Sequence, residues 1–484
     1  MKKFLVLLTM FGAFILFAQE AEVEATEATA PAAEETVAET PAPVPAPVDP
    51  AIEQRVKALE EKQAQLVEEN KKLKEEIEAK KAAAAEEKKE MPKEKKAVEF
   101  LPYGFIELYA WMSDAALFTN DFPLYVTDEG KSTTGMSAKN SRLGTKIFFP
   151  RLEGVKLMGT LEIDFFTNMA DTGYSESYPM IRMRHAFMDL SKTWGDSTLG
   201  FKAGQTWAVA TPILFPAQIN PALGWGLGNL WQRMPLASIY FTQKFAETFS
   251  FNAEVAAARA MTGASSNRNG FLEVNIDAGD ASHIPQIQGQ VSLKGVFAGL
   301  DLLVAVGGAW GRENYKGGVF LNNDKTVTYI GGIEDVYLIN PALKLSHEYF
   351  EVGGKFFWGQ NLDVFGAFGG ALISENANTD GTIKRVLGGQ RTMGYWAQLT
   401  GKPLPGWSLH VGYSAEDPDQ DQEKAAPLFF RNSSIWVSTF YKFFGQVTLG
   451  FQWQQIRTEG ISIKNAPRKS MTGNVLMGDA KLEF

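Results

Sequence analysis

Charged side chains occur in four segments of the chain between residues 140 and 206. Within each segment they are separated by an even number of residues. The basic members are Arg142, Lys146, Lys156, Arg182, Arg184 and Lys202, and the acidic members are Glu162 and Asp164. Alternate residues of an extended strand point to the same face. We therefore expect these side chains to line one polar surface, and we add Arg233, from the segment 207–235, to the same set.

A wall of mainly positive side chains along a narrow aqueous path favours anions, because a constriction with low-dielectric walls strengthens the field of each charge. Arg182 and Arg184 are the strongest candidates for this role, since they are two inward positions on one strand. In the alternative interpretation, Glu162 and Asp164 neutralise the arginines, which then only brace the lumen.

Other patterns in the sequence do not support catalysis or cofactor binding. The four histidines lack the spacing of a metal site, and no nucleophile constellation is recognisable. Gly224, Gly226 and Gly228 are not flanked by a strand and a helix, as a nucleotide-binding loop requires. An acidic loop lacks the glycine of an EF-hand loop, so that we expect a solvated loop rather than a Ca²⁺ site; its carboxylates are Glu416, Asp417, Asp419, Asp421 and Glu423. We expect no enzymatic activity, no cofactor and no metal.

The charged residues lie in segments whose apolar and polar residues alternate. In the segment 154–166, one face carries Leu157, Leu161 and Ile163. The opposite face carries Glu162 and Asp164. One apolar face and one charged face are typical of a strand in the wall of a transmembrane barrel that surrounds water.

Sixteen such segments occur between residue 101 and the C-terminus, and the connections between them are in turn short and long. The segments are 102–112, 140–149, 154–166, 180–190, 197–206, 236–245, 247–258, 284–294, 299–310, 343–358, 362–373, 388–400, 407–415, 432–444, 446–457 and 472–484. This pattern predicts a 16-stranded antiparallel transmembrane β-barrel over 101–484. Eighteen strands stay open, because Thr326 to Ile330 also has the composition of a strand.

The last segment ends with Leu482 and Phe484, an aromatic terminus preceded by apolar residues at every second position. This ending resembles the signal by which outer-membrane barrels are recognised by their assembly machinery. We therefore expect a location in the bacterial outer membrane, in contact with its lipid.

The chain before residue 101 is organised differently. Residues 1–18 have the basic start and short apolar run of a secretory signal peptide, 19–50 form a Pro/Ala/Glu-rich disordered linker, and 91–100 form a spacer. Residues 51–90 carry the heptad seam of a coiled coil. The seam predicts a homo-oligomer but does not choose between two and three strands; its residues are Ile52, Val56, Leu59, Gln63, Leu66, Asn70, Leu73 and Ile77.

Composition narrows the possible classes further. The chain has no cysteine, which excludes disulfides and thiol chemistry. Its formal charge of −9 argues against a nucleic-acid partner.

Two short motifs carry a family resemblance. They are Arg182-Met183-Arg184-His185-Ala186 and Gly204-Gln205-Thr206-Trp207. A basic strand followed by a Gly-Gln-aromatic segment and a long loop resembles the DcaP-like trimeric porins, with some likeness to phosphate-selective porins. The resemblance implies a trimer that passes small hydrophilic, often anionic, solutes. The sequence departs from the family in its apolar, Trp-rich third loop and its longer N-terminal spacer.

The third long connection, 207–235, is rich in proline, glycine and tryptophan. In the porins that the chain resembles, this loop folds inward and narrows the channel. Irregular backbone at membrane depth is tolerated only inside protein or water. We expect the loop to enter the lumen, and the alternative is a surface loop.

These features together favour a porin for passive diffusion, with weak anion preference and a periplasmic N-terminal extension. The alternative is a structural protein in which the coiled coil tethers the barrel to peptidoglycan or another periplasmic partner. A barrel enzyme is the least supported of the three hypotheses, because no catalytic set of residues is recognisable.

Overall fold

The computed structural model describes Lys72 and, with gaps, the chain from residue 98 to its end. The described ranges are 98–118, 122–150, 154–168, 179–245, 248–259, 279–315, 318–322, 325–330, 332–367, 372–377, 383–419, 429–461 and 469–484. The predicted signal peptide, linker and coiled coil, with the heptad residues Ile52 to Ile77, lie outside the described residues and stay predictions.

The described residues form 21 β-strands and two short 3₁₀ helices. The strands are β1 (Glu99–Leu117), β2 (Val126–Ser137), β3 (Arg142–Phe148), β4 (Val155–Asn168), β5 (Pro179–Trp194), β6 (Ser197–Trp207), β7 (Arg233–Lys244), β8 (Ser250–Ala258), β9 (Gln286–Phe297), β10 (Leu300–Tyr315), β11 (Gly318–Asn322), β12 (Lys325–Ile330), β13 (Gly332–Ser346), β14 (Phe350–Gln360), β15 (Leu372–Ala377), β16 (Ile383–Gly388), β17 (Arg391–Leu404), β18 (Trp407–Pro418), β19 (Arg431–Phe443), β20 (Val447–Ile461) and β21 (Lys469–Glu483). The helices are Asp280–Ser282 and Leu362–Phe365. No helix among the described residues is long and apolar enough to cross a membrane.

Seventeen of the strands form one sheet that closes on itself. β1 pairs with β21 along one edge, from Phe105 opposite Glu483 to Ser113 opposite Val475. Along its other edge, β1 pairs with β3 through 99–105 and with β2 through 109–117. β2 and β3 therefore lie end to end as one barrel strand, interrupted at 138–141. The barrel has 17 − 1 = 16 strands, which confirms the predicted strand number.

The C-terminal strand closes the barrel in the way that its alternation predicts. The main-chain groups of Phe484 and Gly104 bond each other at 2.9 and 3.0 Å, beyond the last β1–β21 pair. Leu482 and Phe484 are exposed on the outer face, whereas Met477 is buried on the inner face. The predicted role of Leu482 and Phe484 in assembly stays a prediction.

The barrel is polar inside and apolar outside, the reverse of a water-soluble protein. Along β4, Thr160, Glu162 and Asp164 are buried toward the lumen, while Leu161 between them is exposed. On the far wall, buried Gln452 alternates with exposed Phe451 in the same way. An outer surface of this kind suits lipid, and the inner surface suits water.

The connections differ in length at the two ends of the barrel. The connections at one end are only two to six residues long; they are 149–154, 195–196, 245–249, 298–299, 347–349, 405–406 and 444–446. The other end has the long connections, among them 208–232, 259–285 and 361–390. Short periplasmic turns and long outer loops are the usual asymmetry of outer-membrane barrels, so we name the two ends accordingly.

Two of the predicted strands are wrong, although the total is right. The predicted strand 343–358 is a hairpin: β13 and β14 pair through Ser346 opposite Glu351, with a turn at 347–349. The predicted strand 362–373 begins instead with the 3₁₀ helix Leu362–Phe365. The hairpin was missed because the alternation continues through Ser346 and Phe350, and no glycine, proline or asparagine marks the turn. The helix was missed because Leu362, Val364 and Phe365 are apolar, but in the structure they are buried without a period of two.

The strand-like segment in the fifth outer loop does not enlarge the barrel. β11 and β12 form a hairpin from that loop, and β15 and β16 form one from the sixth. β12 and β16 pair in parallel from Val327 opposite Ile383 to Ile330 opposite Val386. The two hairpins therefore make a separate four-stranded sheet.

Candidate functional site

The third outer loop, residues 208–232, crosses the barrel lumen; we call it the inner loop. Its backbone reaches side chains on the far wall: the Ala217 amide donates to Gln398 of β17 at 2.7 Å, and the Ile219 amide donates to Gln452 of β20 at 2.7 Å. Ser438 of β19 donates to the Ala217 carbonyl at 2.8 Å. Since the loop leaves β6 and returns through β7, these contacts place it inside the barrel.

The second half of the inner loop is attached to the same wall. Asn432 of β19 donates to the Gly226 carbonyl at 2.7 Å, and the Lys355 ammonium of β14 donates to the Leu230 carbonyl at 2.9 Å. Lys355 is only 5% exposed. Each anchor supplies a hydrogen bond to a backbone group that would otherwise be buried without one.

Apolar packing supports these polar anchors. Ile219 and Leu227 of the inner loop are buried in a cluster that includes Phe429. Leu230 is buried in a second cluster with Phe365, whose carbonyl accepts a hydrogen bond from the Trp231 amide. The inner loop is therefore packed from both sides, and we expect it to hold one position.

Gly228 of the inner loop lies close to the backbone of the wall. An added Cβ would lie 2.3 Å from the Tyr395 carbonyl oxygen and 2.4 Å from that of Ala415, and φ is +92°. We expect Gly228→Ala to lower the free energy of unfolding by about 2–4 kcal/mol, because overpacking adds to the cost of a left-handed alanine. Urea unfolding followed by tryptophan fluorescence measures the loss.

Gly130→Ala is the matched control for this variant. Gly130 also has a positive φ, +76°, but no atom lies within 4 Å of its added Cβ. We expect this control to lose only the backbone contribution, about 1 kcal/mol. Equal losses for the two variants would contradict the tight contact of the inner loop with β17 and β18.

A cluster of four arginines and two carboxylates lies on β3, β4, β5 and the first residue of β7; we call it the arginine cluster. Asp164, with no exposed surface, accepts hydrogen bonds from Arg182 at 2.8 and 2.6 Å and from Arg184 at 2.8 Å. Arg184 also donates to Glu162 at 2.6 Å, and Arg142 lies 3.5 Å from the same carboxylate. The predicted neighbours therefore do meet, and both carboxylates are engaged by arginine.

Arg233, the fourth arginine, differs from the others because no carboxylate in the described part of the chain forms an ion pair with it. It is 7% exposed, and its guanidinium lies 4.7 Å from the Trp207 ring centre and 5.3 Å from that of Trp231. Its Nη1 has no hydrogen-bond partner among the described residues. Its charge interacts with those of Arg184 and Arg182. The indoles at the base of the inner loop thus hold a fourth positive charge beside the first three.

The predicted lysines lie apart from the arginine cluster. Lys146 and Lys156 are exposed, and each lies about 6 Å from an aromatic ring, that of Tyr103 (5.9 Å) and that of Phe148 (5.8 Å). Lys202 forms an ion pair with Glu254 of β8 at 2.9 Å, and this carboxylate was not among the predicted site residues. Lys202 therefore adds no unpaired charge to the wall.

Sequence reasoning also missed the residues that hold the inner loop. The chief examples are Lys355, Gln398, Asn432, Ser438 and Gln452. Polar residues at inward positions of strands were the available signal, but their contacts depend on the path of the loop. Asp421 and Glu423 of the acidic loop lie outside the described residues, so the expectation for that loop stays a prediction; within the described ranges, no group of three or more His, Asp or Glu could hold a metal ion.

Comparison with solved structures agrees with this architecture. The chain matches the outer-membrane channel DcaP of Acinetobacter baumannii at 18% identity and a TM-score of 0.56, over 81% of this chain and 99% of that one. The fold is that of a DcaP-type outer-membrane channel. OmpT of Vibrio cholerae matches at 13% identity over 81% of this chain and 99% of that one (TM-score 0.47), and OprB of Pseudomonas putida matches at 10% over 80% and 94% (TM-score 0.46). No family model and no curated protein matches the sequence.

Both predicted motifs lie in the barrel wall beside the start of the inner loop. Arg182 to Ala186 lies in β5, and Gly204 to Trp207 ends β6, where the inner loop begins. The motifs are neighbours in the barrel wall, because Ala186 pairs with Gln205.

Proposed function

We propose that the protein is an outer-membrane porin through which small hydrophilic solutes diffuse passively, with a weak preference for anions. The observation that carries this proposal is the contrast between the arginine cluster and the inner loop. Residues 208–232 contain no charged residue at all. The positive wall therefore meets no carboxylate on the loop that narrows the lumen.

The charge balance supports a preference that is weak rather than strong. Four arginines against Glu162 and Asp164 give 4 − 2 = 2 positive charges in the cluster. Glu107 on β1 also interacts with Arg142 and reduces this excess. Arg182 keeps 35% of its side chain exposed, so it is the arginine most open to passing ions. A small positive excess in a confined path raises the local concentration of anions.

Single-channel conductance and the reversal potential in a KCl gradient test the proposal. We expect stepwise conductance in a planar bilayer and a reversal potential that favours Cl⁻. Arg182→Ala and Arg184→Ala should each shift the reversal potential toward K⁺, because each removes one positive charge from the lumen wall. Lys202→Ala combined with Glu254→Ala is the control, since this pair of changes removes one positive and one negative charge and leaves the net charge of the wall unchanged.

Two other outcomes would contradict part or all of this proposal. Channels that favour K⁺ would agree with a porin but would reject the anion preference. A folded, inserted barrel without conductance would reject the porin and favour the structural tether.

The remaining parts of the proposal extend beyond the barrel. The heptad seam of 51–90 supports a homo-oligomer, and the DcaP-like motifs favour a trimer. We propose that the coiled coil lies in the periplasm and that Phe484 and Leu482 present the barrel to its assembly machinery. Cross-linking of the full chain in lipid vesicles, with and without residues 51–90, measures the contribution of the seam.

A further inference from the structure

β5 contains a β-bulge at the level of the arginine cluster. Glu162 of β4 lies opposite His185, and Ile163 lies opposite Met183, so Arg184 has no partner residue on β4. Because of this extra residue, Arg184 and His185 are both buried toward the lumen. Successive residues of a regular strand would point to opposite faces. The bulge therefore determines which side chains of β5 reach the lumen.

The neighbouring strand supplies a hydrogen bond to the bulge. Pairing between β5 and β6 ends at Ala186 opposite Gln205. Beyond that point, the Gln205 side-chain Nε2 donates to the main-chain carbonyl of Met183 at 2.9 Å. A side chain thus replaces the main-chain donor that a continuing ladder would provide, at a depth where unpaired backbone groups are costly.

Gly204 makes this contact possible. Its φ is +129°, and an added Cβ would lie 2.2 Å from the Ala186 carbonyl oxygen and 2.7 Å from the Phe187 Cα. No side chain fits at this position, so β6 approaches β5 closely just below the bulge. Gly204 and Gln205 are adjacent in sequence and act on the same distortion.

Gln205 lies on the outer face of the barrel. Thr206 is buried toward the lumen, whereas Phe201, an even number of residues before Gln205, is exposed outside. Its amide therefore has no direct contact with ions in the channel. Any effect of Gln205 on permeation acts through β5.

We propose that Gln205 is a positioning residue that holds the β5 bulge and so keeps Arg182 and Arg184 on the lumen side together with His185. The lower half of β5 is paired on both edges, with 155–162 of β4 and 197–205 of β6. Above the bulge, a second register shift between Asp164 and Thr167 restores the register, so that Thr167 lies opposite Met180. Without the bulge, the short segment between the two shifts, which contains Arg182 and Met183, is the part that moves by one residue. A one-residue shift exchanges the faces of a strand, so Met183 turns inward and Arg184 turns outward.

Thiol labelling tests the orientation directly, because the chain has no cysteine. Met183 is 50% exposed on the outer face. In lipid vesicles, Met183→Cys should react slowly with a charged, water-soluble methanethiosulfonate reagent. Adding Gln205→Met, which keeps the length but cannot donate, should raise the labelling rate severalfold. Adding Gln205→Lys, which can donate to the carbonyl, should leave the rate low.

Gln455→Met is the matched control for the glutamine. Gln455 is an outward glutamine of β20 whose Nε2 donates to the side chain of Asn474 at 3.2 Å rather than to a bulge. Folding of every variant is checked by its gel mobility before and after boiling. Equal labelling rates in the Gln205→Met, Gln205→Lys and Gln455→Met backgrounds would overturn the proposal.

The effect on ion selectivity rests on the proposed function. Gln205→Met should move the reversal potential toward K⁺, and Gln455→Met should not. If wild-type channels show no Cl⁻ preference, the proposed anion preference fails, while the labelling rates still decide the role of Gln205.

Discussion

Replacement of residues 209–231 by a short Gly-Ser turn is expected to raise the single-channel conductance severalfold and to weaken ion selectivity. The inner loop passes from β6 to hydrogen bonds on β17, β19 and β20. A 16-stranded barrel without such a loop encloses an open aqueous lumen. The measurement is conductance in a planar bilayer at fixed salt, with the reversal potential recorded in the same membrane.

Deletion of the loop also removes Leu227 and Leu230, which are buried in the barrel interior. A second variant therefore tests the position of the loop without removing these side chains. Gln398→Ala combined with Gln452→Ala keeps the loop but removes two anchors. We expect larger current fluctuations from it. Asn340→Ala is the control, because the buried Asn340 amide has no hydrogen-bond partner among the described residues. An unchanged conductance after removal of the loop would contradict its place in the lumen.

Asp164→Asn is expected to destabilise the barrel while it increases the preference for Cl⁻. The change leaves Arg182 and Arg184 without their shared carboxylate, and breaking a buried ion pair from one side costs about 3–5 kcal/mol. The charge of the cluster rises from +2 to +3, since one of two carboxylates is lost. Urea unfolding followed by tryptophan fluorescence and the reversal potential in a KCl gradient measure the two effects.

Asp189→Asn is the control for this prediction. Asp189 lies on β5 and accepts a hydrogen bond from the neutral Tyr240 hydroxyl at 2.8 Å. Its loss should cost about 1 kcal/mol. If Asp164→Asn unfolds at the same urea concentration as Asp189→Asn, the arginine cluster does not depend on its buried carboxylate.

The barrel could be predicted because its sequence signal, the alternation of apolar and polar residues, lies within each strand. Alternation along 154–166 placed Glu162 and Asp164 on one face and Leu161 on the other, as the structure has them. The same period placed Leu482 and Phe484 outside on the last strand. Each of these assignments needs only neighbouring residues and the geometry of an extended chain.

The features that sequence reasoning missed depend on contacts between distant parts of the chain. Arg184 and His185 share the lumen side because of a bulge, which breaks the period of two that a regular strand would have. The anchors Gln398 and Gln452 are separated from the inner loop by more than 180 residues. The turn at 347–349 lacks the residues that usually mark turns.

The anchors of the inner loop have a consequence for how the protein can change over evolution. Four of the five anchors, Gln398, Asn432, Ser438 and Gln452, hold the loop through neutral amides and a hydroxyl, whose hydrogen bonds respond little to ionic strength. The fifth, Lys355, is buried and therefore largely shielded from salt. The charges that face the passing solute lie on the other wall, in the arginine cluster. In the proposed porin, size exclusion and charge discrimination are therefore assigned to separate residues. Salt should therefore alter the ion preference and not the solute size limit. Substitutions in β4 and β5 can likewise change the ion preference without changing the size limit.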